Sequence, residues 1–236
     1  MAHRRQLIPP APVVLVLAVA LVVLGAIGTL WAEQIDEEAA RFKDAFVEVE
    51  PTLAVDGWQL PFAVADRRSI KQLAVVSTFG AGRQSYLRGH RHTGLDLVPR
   101  PKPKGYVGVF PMANGAVCSI HLSDPHPTVV VKHRLADGST LFTSYKHLGG
   151  IDVRNGQQVT PATQLGRLYT ADEAKKLGGN YDHLHLEVRK NFDDFGVASW
   201  LTMNQRDLDR RFIDPLLFLK QQLAPVSASQ SAPRSR

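Results

Sequence analysis

The sequence is poor in the residues that several classes of site require. A single cysteine, Cys118, excludes an intrachain disulfide and a cysteine-based zinc site. It lies in an apolar stretch, where we expect a small buried side chain and not a reactive thiol. Charged residues make up 21% of the chain, an ordinary share for a globular protein. The formal net charge of +6 is not concentrated in a Lys/Arg block, so we expect no nucleic-acid partner.

One long stretch lacks charge altogether. Residues 13–31 carry no charged or strongly polar side chain, and with Ala32 they would form about 30 Å of helix, the thickness of a bilayer core. Arg4 and Arg5 precede the stretch and acidic residues follow it, which predicts a cytoplasmic N-terminus and an exported remainder. We therefore expect a short cytoplasmic segment over 1–12 and a single-pass anchor over 13–32. A cleaved signal peptide is the alternative, although Leu30–Ala32 is a poor cleavage site.

Composition and hydrophobic pattern divide the remainder of the sequence into three parts. Residues 33–70 combine a short amphipathic pattern with irregular segments, which predicts a helical or irregular connector. Residues 71–220 alternate short β-rich runs with Gly, Pro and Asn, which predicts one domain. Residues 221–236 are predicted to be a disordered tail because their hydrophobicity is low.

The β-rich part is predicted to be a mainly β domain, an antiparallel sheet or open barrel-sandwich with short helices. Thr170 and Glu173 form a capping-box pattern that predicts a helix over Ala171–Leu177. Asp214 and Pro215 are predicted to begin a short closing helix or turn.

Histidines mark the candidate site. The alternation over 181–189 predicts a half-buried strand, with His183, His185 and Glu187 on its polar face. Two imidazoles on one face of a strand could both serve a single metal centre. This pattern alone is weakly specific, because nine histidines make chance pairs common.

A second pattern lies earlier in the chain. His92 precedes Asp96 by four residues, and these are two ligand types that zinc accepts. Gly94 between them permits a tight backbone turn. This pattern too is weak by itself, because such pairs occur at the surface of many proteins.

Three motifs follow one another along the chain in the order seen in a known protein family. His-x-Gly-x-Asp from His92, Tyr-x-His-Leu around His147 and His-Leu-His-Leu-Glu-Val-Arg from His183 resemble the lysostaphin-like (LytM-type) zinc endopeptidases. The resemblance spans about residues 71 to 219 and is supported by flanking segments such as 77–80. It departs from the common pattern at the predicted helix before His183, which would form one rim of the substrate groove.

The resemblance implies the following roles. One Zn²⁺ would be bound by His92, Asp96 and His185, and His147 and His183 would be the catalytic histidines beside it. Glu187 is expected to be a strand or groove charge. The substrate would be peptide bonds in peptidoglycan stem peptides or cross-links. The chain would then be held in a bacterial inner membrane by its N-terminal helix, with the catalytic domain on the periplasmic side.

Several alternatives stay open at this point. His90 could replace His92 as a ligand if the local turn shifted. Other histidines are expected at the surface or in loops: His121, His126 and His133. The domain could be a regulator or scaffold of other wall hydrolases, or an enzyme whose groove is covered by residues 33–68. A wall-binding β module would use Trp58, Tyr106 and Trp200 for stacking.

Overall fold

Antiparallel pairing organises the structure, a computed structural model that describes residues 40–84, 89–202 and 204–224. The strands are β1 (Leu73–Ser77), β2 (Leu95–Pro99), β3 (Gly108–Val109), β4 (Gly115–His121), β5 (Thr128–Arg134), β6 (Thr140–Lys146), β7 (Leu148–Ile151), β8 (Gln158–Val159), β9 (Gly166–Leu168), β10 (Leu184–Arg189) and β11 (Phe212–Ile213). The helices are α1 (Ala171–Lys176), α2 (Ala198–Leu201), α3 (Gln205–Arg211) and α4 (Pro215–Gln222). Residues 40–44 are also helical, and Ile70–Gln72 form a 3-10 turn.

The strands form two sheets. The larger sheet has the order β1-β2-β10-β6-β5-β4-β8, and β11 pairs with β10 beside it. The smaller sheet has the order β3-β9-β7. The prediction of a mainly β, antiparallel domain with short helices is therefore confirmed.

Apolar side chains of the central strands form the main core. Leu95 and Leu97 of β2, and Leu184 and Leu186 of β10, are fully buried in it. Each such side chain contributes about 1.5–3 kcal/mol of hydrophobic stabilisation when it leaves water. The core thus fixes the pairing of the two strands that carry the candidate ligands.

The predicted half-buried character of β10 is wrong. All six of its residues are buried, because the polar face is covered as well as the apolar one. The guanidinium of Arg189 lies between the rings of Phe192 and Phe212, 5.1 and 4.7 Å from their centroids. Alternating polar residues here indicate a second, polar interior and not a solvated face.

The connector is packed against the sheets. Phe46 bridges to Ser119 of β4, and Phe62 bridges to Val109 of β3. Trp58 and Leu60 are buried in the main core. The described residues from Phe42 onward thus belong to the same compact unit as the strands.

The segments predicted at the two ends of the chain lie wholly or partly outside the described residues. The predicted membrane helix over 13–32 lies outside the described residues, and no helix within the described part is long and apolar enough to cross a membrane. The predicted disordered tail starts too early, because α4 continues through residues 221 and 222. The remainder of that tail, from residue 225, lies outside the described residues.

The predicted helix starts are confirmed. Thr170 and Glu173 form both hydrogen bonds of a capping box at the start of α1. Asp214 accepts hydrogen bonds from the backbone N–H groups of Leu216 and Leu217, and Pro215 is the first residue of α4.

The single cysteine is buried, as expected. Burial raises the pKa of the Cys118 thiol to about 12. The thiol therefore stays protonated and unreactive near neutral pH.

The expectation that His121 and His133 lie at the surface or in loops is wrong, since both are buried residues of strands, in β4 and β5. His133 Nδ1 donates to the Asn114 carbonyl at 2.8 Å, and its Nε2 lies 2.8 Å from Thr143 Oγ1. Thr143 in turn contacts the hydroxyl of Tyr145 at 3.0 Å. The side chain is thus held in a chain of polar partners inside the core, where burial lowers the pKa of His133 to about 4.

This burial predicts a pH-dependent stability. Between pH 6.5 and about 4 the unfolded state binds a proton at His133 that the folded state excludes, so stability falls as the pH is lowered through this window. The loss is on the order of 3 kcal/mol in total. Denaturant unfolding measures the free energy of unfolding of the wild type and of His133→Gln across this range. As the pH is lowered, the wild type should lose about 1.4 kcal/mol per pH unit relative to the variant. A difference that does not change with pH would contradict the assignment.

Candidate metal centre

Strand register brings the three predicted ligands together. Asp96 of β2 lies directly opposite His185 of β10 in the antiparallel pairing. His92 lies four residues before Asp96, and its backbone N–H and C=O bind Ala81 and Gly80 of the preceding loop. The flanking segment noted in the sequence therefore holds the first ligand in place.

The three side chains converge through one atom each. His92 Nε2 lies 2.9 Å from Asp96 Oδ1 and 2.9 Å from His185 Nδ1. His185 Nδ1 lies 3.0 Å from the same carboxylate oxygen. Among the described residues, this is the group of His, Cys, Asp or Glu side chains whose geometry could hold a metal ion.

The outer hydrogen bonds decide which ring nitrogens bear protons. His92 Nδ1 lies 2.7 Å from the Thr78 carbonyl, to which it must donate. His185 Nε2 lies 3.1 Å from Glu187 Oε1, to which it likewise donates. In the neutral imidazoles, the two facing nitrogens therefore carry lone pairs. Two nitrogen lone pairs and a carboxylate oxygen pointing at one position fit a cation such as Zn²⁺.

The electrostatics also favour a cation. Burial opposes ionisation of Asp96, but the hydrogen bonds that the surrounding histidines donate when their facing nitrogens are protonated outweigh it and hold the pKa of the carboxyl far below its usual range. Burial lowers the pKa of His185, yet its bonds with Asp96 and Glu187 raise that pKa overall. A proton and a metal ion therefore compete for the same position.

The second oxygen of Asp96 has its own partner, which the sequence did not predict. Arg83 donates to Asp96 Oδ2 at 2.8 Å and to Ser77 Oγ at 3.0 Å. Arg83 thus restrains the carboxylate while leaving Oδ1 to the histidines. Arg83 lies 13 residues before Asp96 in the sequence, so no local sequence pattern predicted this contact.

The two predicted catalytic histidines lie beside the centre. His147 follows β6, whose last residue Lys146 pairs with His185, and it adopts a left-handed backbone with φ 67°. Its ring centroid is 5.0 Å from that of His183 and 6.1 Å from that of His185. His183 Nε2 lies 3.6 Å from Asp96 Oδ1.

The orientation of His147 is set by a backbone carbonyl. His147 Nδ1 donates to Pro125 O at 2.8 Å, which leaves Nε2 with its lone pair in the neutral ring. Burial lowers the pKa of His147 well below its usual value. The ring therefore stays unprotonated near neutral pH and can accept a proton.

These residues line a cavity of about 330 Å³. Residues that the sequence did not single out for this site form one wall, namely His126, Tyr181 and Trp200, whose rings contact each other with His126 in the middle. Burial lowers the pKa of His126 to about 3. His126 lies in a loop, as expected, but a lone histidine in a loop carries no pattern from which its position in the cavity wall could be predicted.

Among the described residues, those named in the alternative predictions do not belong to the convergent group. His90 lines the cavity but is outside the convergent group of the described residues. None of the cavity-lining residues comes from the described part of the connector, 40–70. Trp58 is buried against His133 and Phe218, while Tyr106 is exposed and packs on Arg167, so the proposed stacking residues do not share a surface.

Two histidines and one aspartate that converge on one position form a donor set that zinc accepts, with the three protein ligands typical of catalytic zinc sites. Residues 90–196 match the model of the family described as Peptidase family M23. Over this segment the chain is similar to that peptidase family, and the lysostaphin-like resemblance expected from the sequence is confirmed for residues 90–196. No curated protein matches the chain.

Several solved structures are similar to this chain, at low sequence identity. Lysostaphin from Staphylococcus simulans, an antimicrobial peptidase, is 16% identical with a TM-score of 0.48, over 76% of this chain and 61% of that one. A chain of the SpoIIQ–SpoIIIAH pore-forming complex is 21% identical with a TM-score of 0.42, over 75% and 98%. A zinc-containing peptidase from Vibrio cholerae is 22% identical with a TM-score of 0.40, over 57% and 37%. The similarity to the peptidase family rests on the match of residues 90–196 to the family model.

Gly94 leads to a testable consequence. Gly94 lies at a bend before β2, but its φ is not left-handed, so the backbone conformation alone does not require a glycine here. A Cβ at this position would lie 2.5 Å from Leu186 O and 2.7 Å from His185 Nε2. Gly94→Ala must therefore displace β10 or the His185 ring, and we expect zinc affinity to fall at least about tenfold, as for changes in ligand-orienting contacts.

Chelator competition on the purified chain measures this effect. Gly82→Ala is the matched control, because a Cβ there meets nothing within 4 Å, and it should bind zinc like the wild type. Equal affinities for the two variants would contradict the role of Gly94.

Proposed function

We propose that the chain is a zinc-dependent endopeptidase that hydrolyses peptide bonds in peptidoglycan stem peptides or cross-links. The observation that carries the proposal is the convergence of three lone-pair atoms, from His92, Asp96 and His185, beside two further histidines in one cavity. The match of residues 90–196 to the model of a peptidase family supports the reaction type. The wall peptide as substrate comes from the resemblance to lysostaphin-like enzymes.

The residues of the site would have the following roles in the reaction. His92, Asp96 and His185 would hold Zn²⁺, which when bound lowers the pKa of a water ligand and polarises a carbonyl. His147 Nε2 would accept the proton of the attacking water, because its ring is held neutral and oriented by Pro125 O. His183 would stabilise the developing oxyanion or donate a proton to the leaving amine.

We further propose that residues 13–32 anchor the chain in a bacterial inner membrane, with the domain on the periplasmic side. The apolar length of this stretch and the charges that flank it support that placement. The anchor would bring the cavity within reach of the wall. The substrate would then be an insoluble polymer next to the membrane.

The second candidate function is a regulator of other wall hydrolases that does not itself cleave. The resemblance includes such domains, which have lost metal ligands. Here the ligand set and both neighbouring histidines are present, which favours the enzyme. Zinc content discriminates the two candidates, because a regulator with a degenerate site would hold little zinc.

The deciding experiment mixes the full-length chain in detergent micelles with purified cross-linked sacculi, with and without a zinc chelator. His147→Ala and His183→Ala should keep zinc and reduce cleavage by at least about 10²-fold, the usual contribution of a positioned acid or base. Muropeptides identified by mass spectrometry report the bond that is cut. Full cleavage by either variant would overturn the proposed mechanism.

Tyr106→Ala is the matched control. Tyr106 is an exposed aromatic residue outside the cavity, so its removal should leave both zinc and cleavage unchanged. A zinc-loaded, folded wild type that produces no new muropeptides would favour the regulator instead.

A further inference from the structure

The buried carboxylate of Glu187 contacts three chain segments that flank the candidate metal centre. The side chain of Glu187 is 0% exposed. Its Oε1 accepts from His185 Nε2 at 3.1 Å and from Thr93 Oγ1 at 2.6 Å, and it lies 3.5 Å from Lys146 Nζ. Its Oε2 accepts from Arg189 at 3.2 Å. Every partner is a donor, so the carboxylate is fully used within the protein.

The partners of Glu187 lie next to the residues of the centre in sequence. Thr93 follows His92, and Lys146 precedes His147. His185 is itself a partner. One carboxylate therefore ties together three neighbouring chain segments: the residues just before β2, the end of β6 and the start of β10.

We propose that Glu187 is a positioning residue that fixes His185 with Nδ1 towards the metal and sets the spacing between the His92, His147 and His185 segments. The identity of the metal as zinc rests on the proposed function. The hydrogen bond from His185 Nε2 fixes the tautomer, and a carboxylate acceptor makes the opposite nitrogen a stronger ligand. Glu187 does not bind the metal, because its oxygens are engaged by four donors on the far side of the His185 ring.

A second group of contacts keeps this carboxylate charged and in place. Lys146 and Arg189 provide two buried positive charges beside it. Arg189 also donates to Asp194 at 2.5 Å and to Ser199 at 3.1 Å. Asp194 accepts from the backbone N–H of Ala198, the first residue of α2, at 2.8 Å. The network thus continues from the ligand to the helix that carries Trp200 of the cavity wall.

The test measures metal affinity and not hydrolysis. Full-length wild type and Glu187→Gln are purified in detergent micelles, and their zinc dissociation constants are determined by competition with a chromophoric chelator. Because the carboxylate of Glu187 is not a ligand, the variant should keep the ligand set while losing a charged acceptor. We expect zinc affinity to fall about 10–100-fold and the visible absorption spectrum of the cobalt-substituted protein to change.

Thr143→Val is the matched control for general destabilisation. Thr143 is a buried polar residue on the neighbouring strand β6, in the separate group around His133. Its loss should lower the melting temperature and leave zinc affinity unchanged. Equal weakening of zinc binding in Thr143→Val and Glu187→Gln would overturn the proposal.

Two milder variants at Thr93 test the proposal if Glu187→Gln does not fold. Thr93→Val removes one donor to Glu187 at nearly constant volume, and Thr93→Ser retains the hydroxyl. Zinc affinity should fall several-fold in the first variant and return towards the wild type in the second. A folded Glu187→Gln or Thr93→Val with wild-type affinity and an unchanged cobalt spectrum would overturn the proposal.

Failure of the proposed function gives a different result. A wild type that binds zinc tightly but cleaves no wall peptide contradicts the proposed reaction and leaves the positioning role of Glu187 intact. A wild type that binds no zinc overturns both. Tight zinc binding that is indifferent to Glu187 overturns the positioning role alone.

Discussion

Asp96 and His185 face each other because β2 and β10 pair antiparallel in one particular register. A slip of one residue would turn the ligand side chains into the apolar core and expose leucines in their place. Buried leucines on the opposite face of both strands hold that register. The positions of the other site residues follow from it, since Lys146 pairs with His185 and thereby places His147 at the end of β6.

The polar side of β10 shows how a site of this kind is kept rigid inside a fold. Burying Glu187 and Arg189 without partners would cost several kcal/mol for each charge. Each charge is matched by another and by neutral donors or acceptors, so the two are retained. Such a network restrains the histidines before any ligand arrives, and preorganised ligands need little reorganisation when they bind. The same low exposure keeps the His147 ring neutral.

The sequence predicted the regular parts of this arrangement well. Short β runs, the capping box at Thr170 and the start of α4 at Asp214 depend on local patterns, and local patterns are visible in a sequence. The motif order around His92 and His185 led to the ligand set that the structure brings together. Other residues acquire their places only through tertiary contacts, namely Arg83, His126 and Glu187. The burial of β10 was missed for the same reason, because alternation cannot distinguish a solvated polar face from a paired, buried one.

The central claim is that three specific atoms form one zinc site: His92 Nε2, Asp96 Oδ1 and His185 Nδ1. A crystal structure of the zinc-loaded chain, with anomalous differences recorded on both sides of the zinc absorption edge, tests it most directly. We expect one zinc ion bound to these three atoms, with His185 Nε2 still directed at Glu187. Zinc bound through His90 or through His185 Nε2, or the lack of an anomalous peak between these side chains, would contradict it.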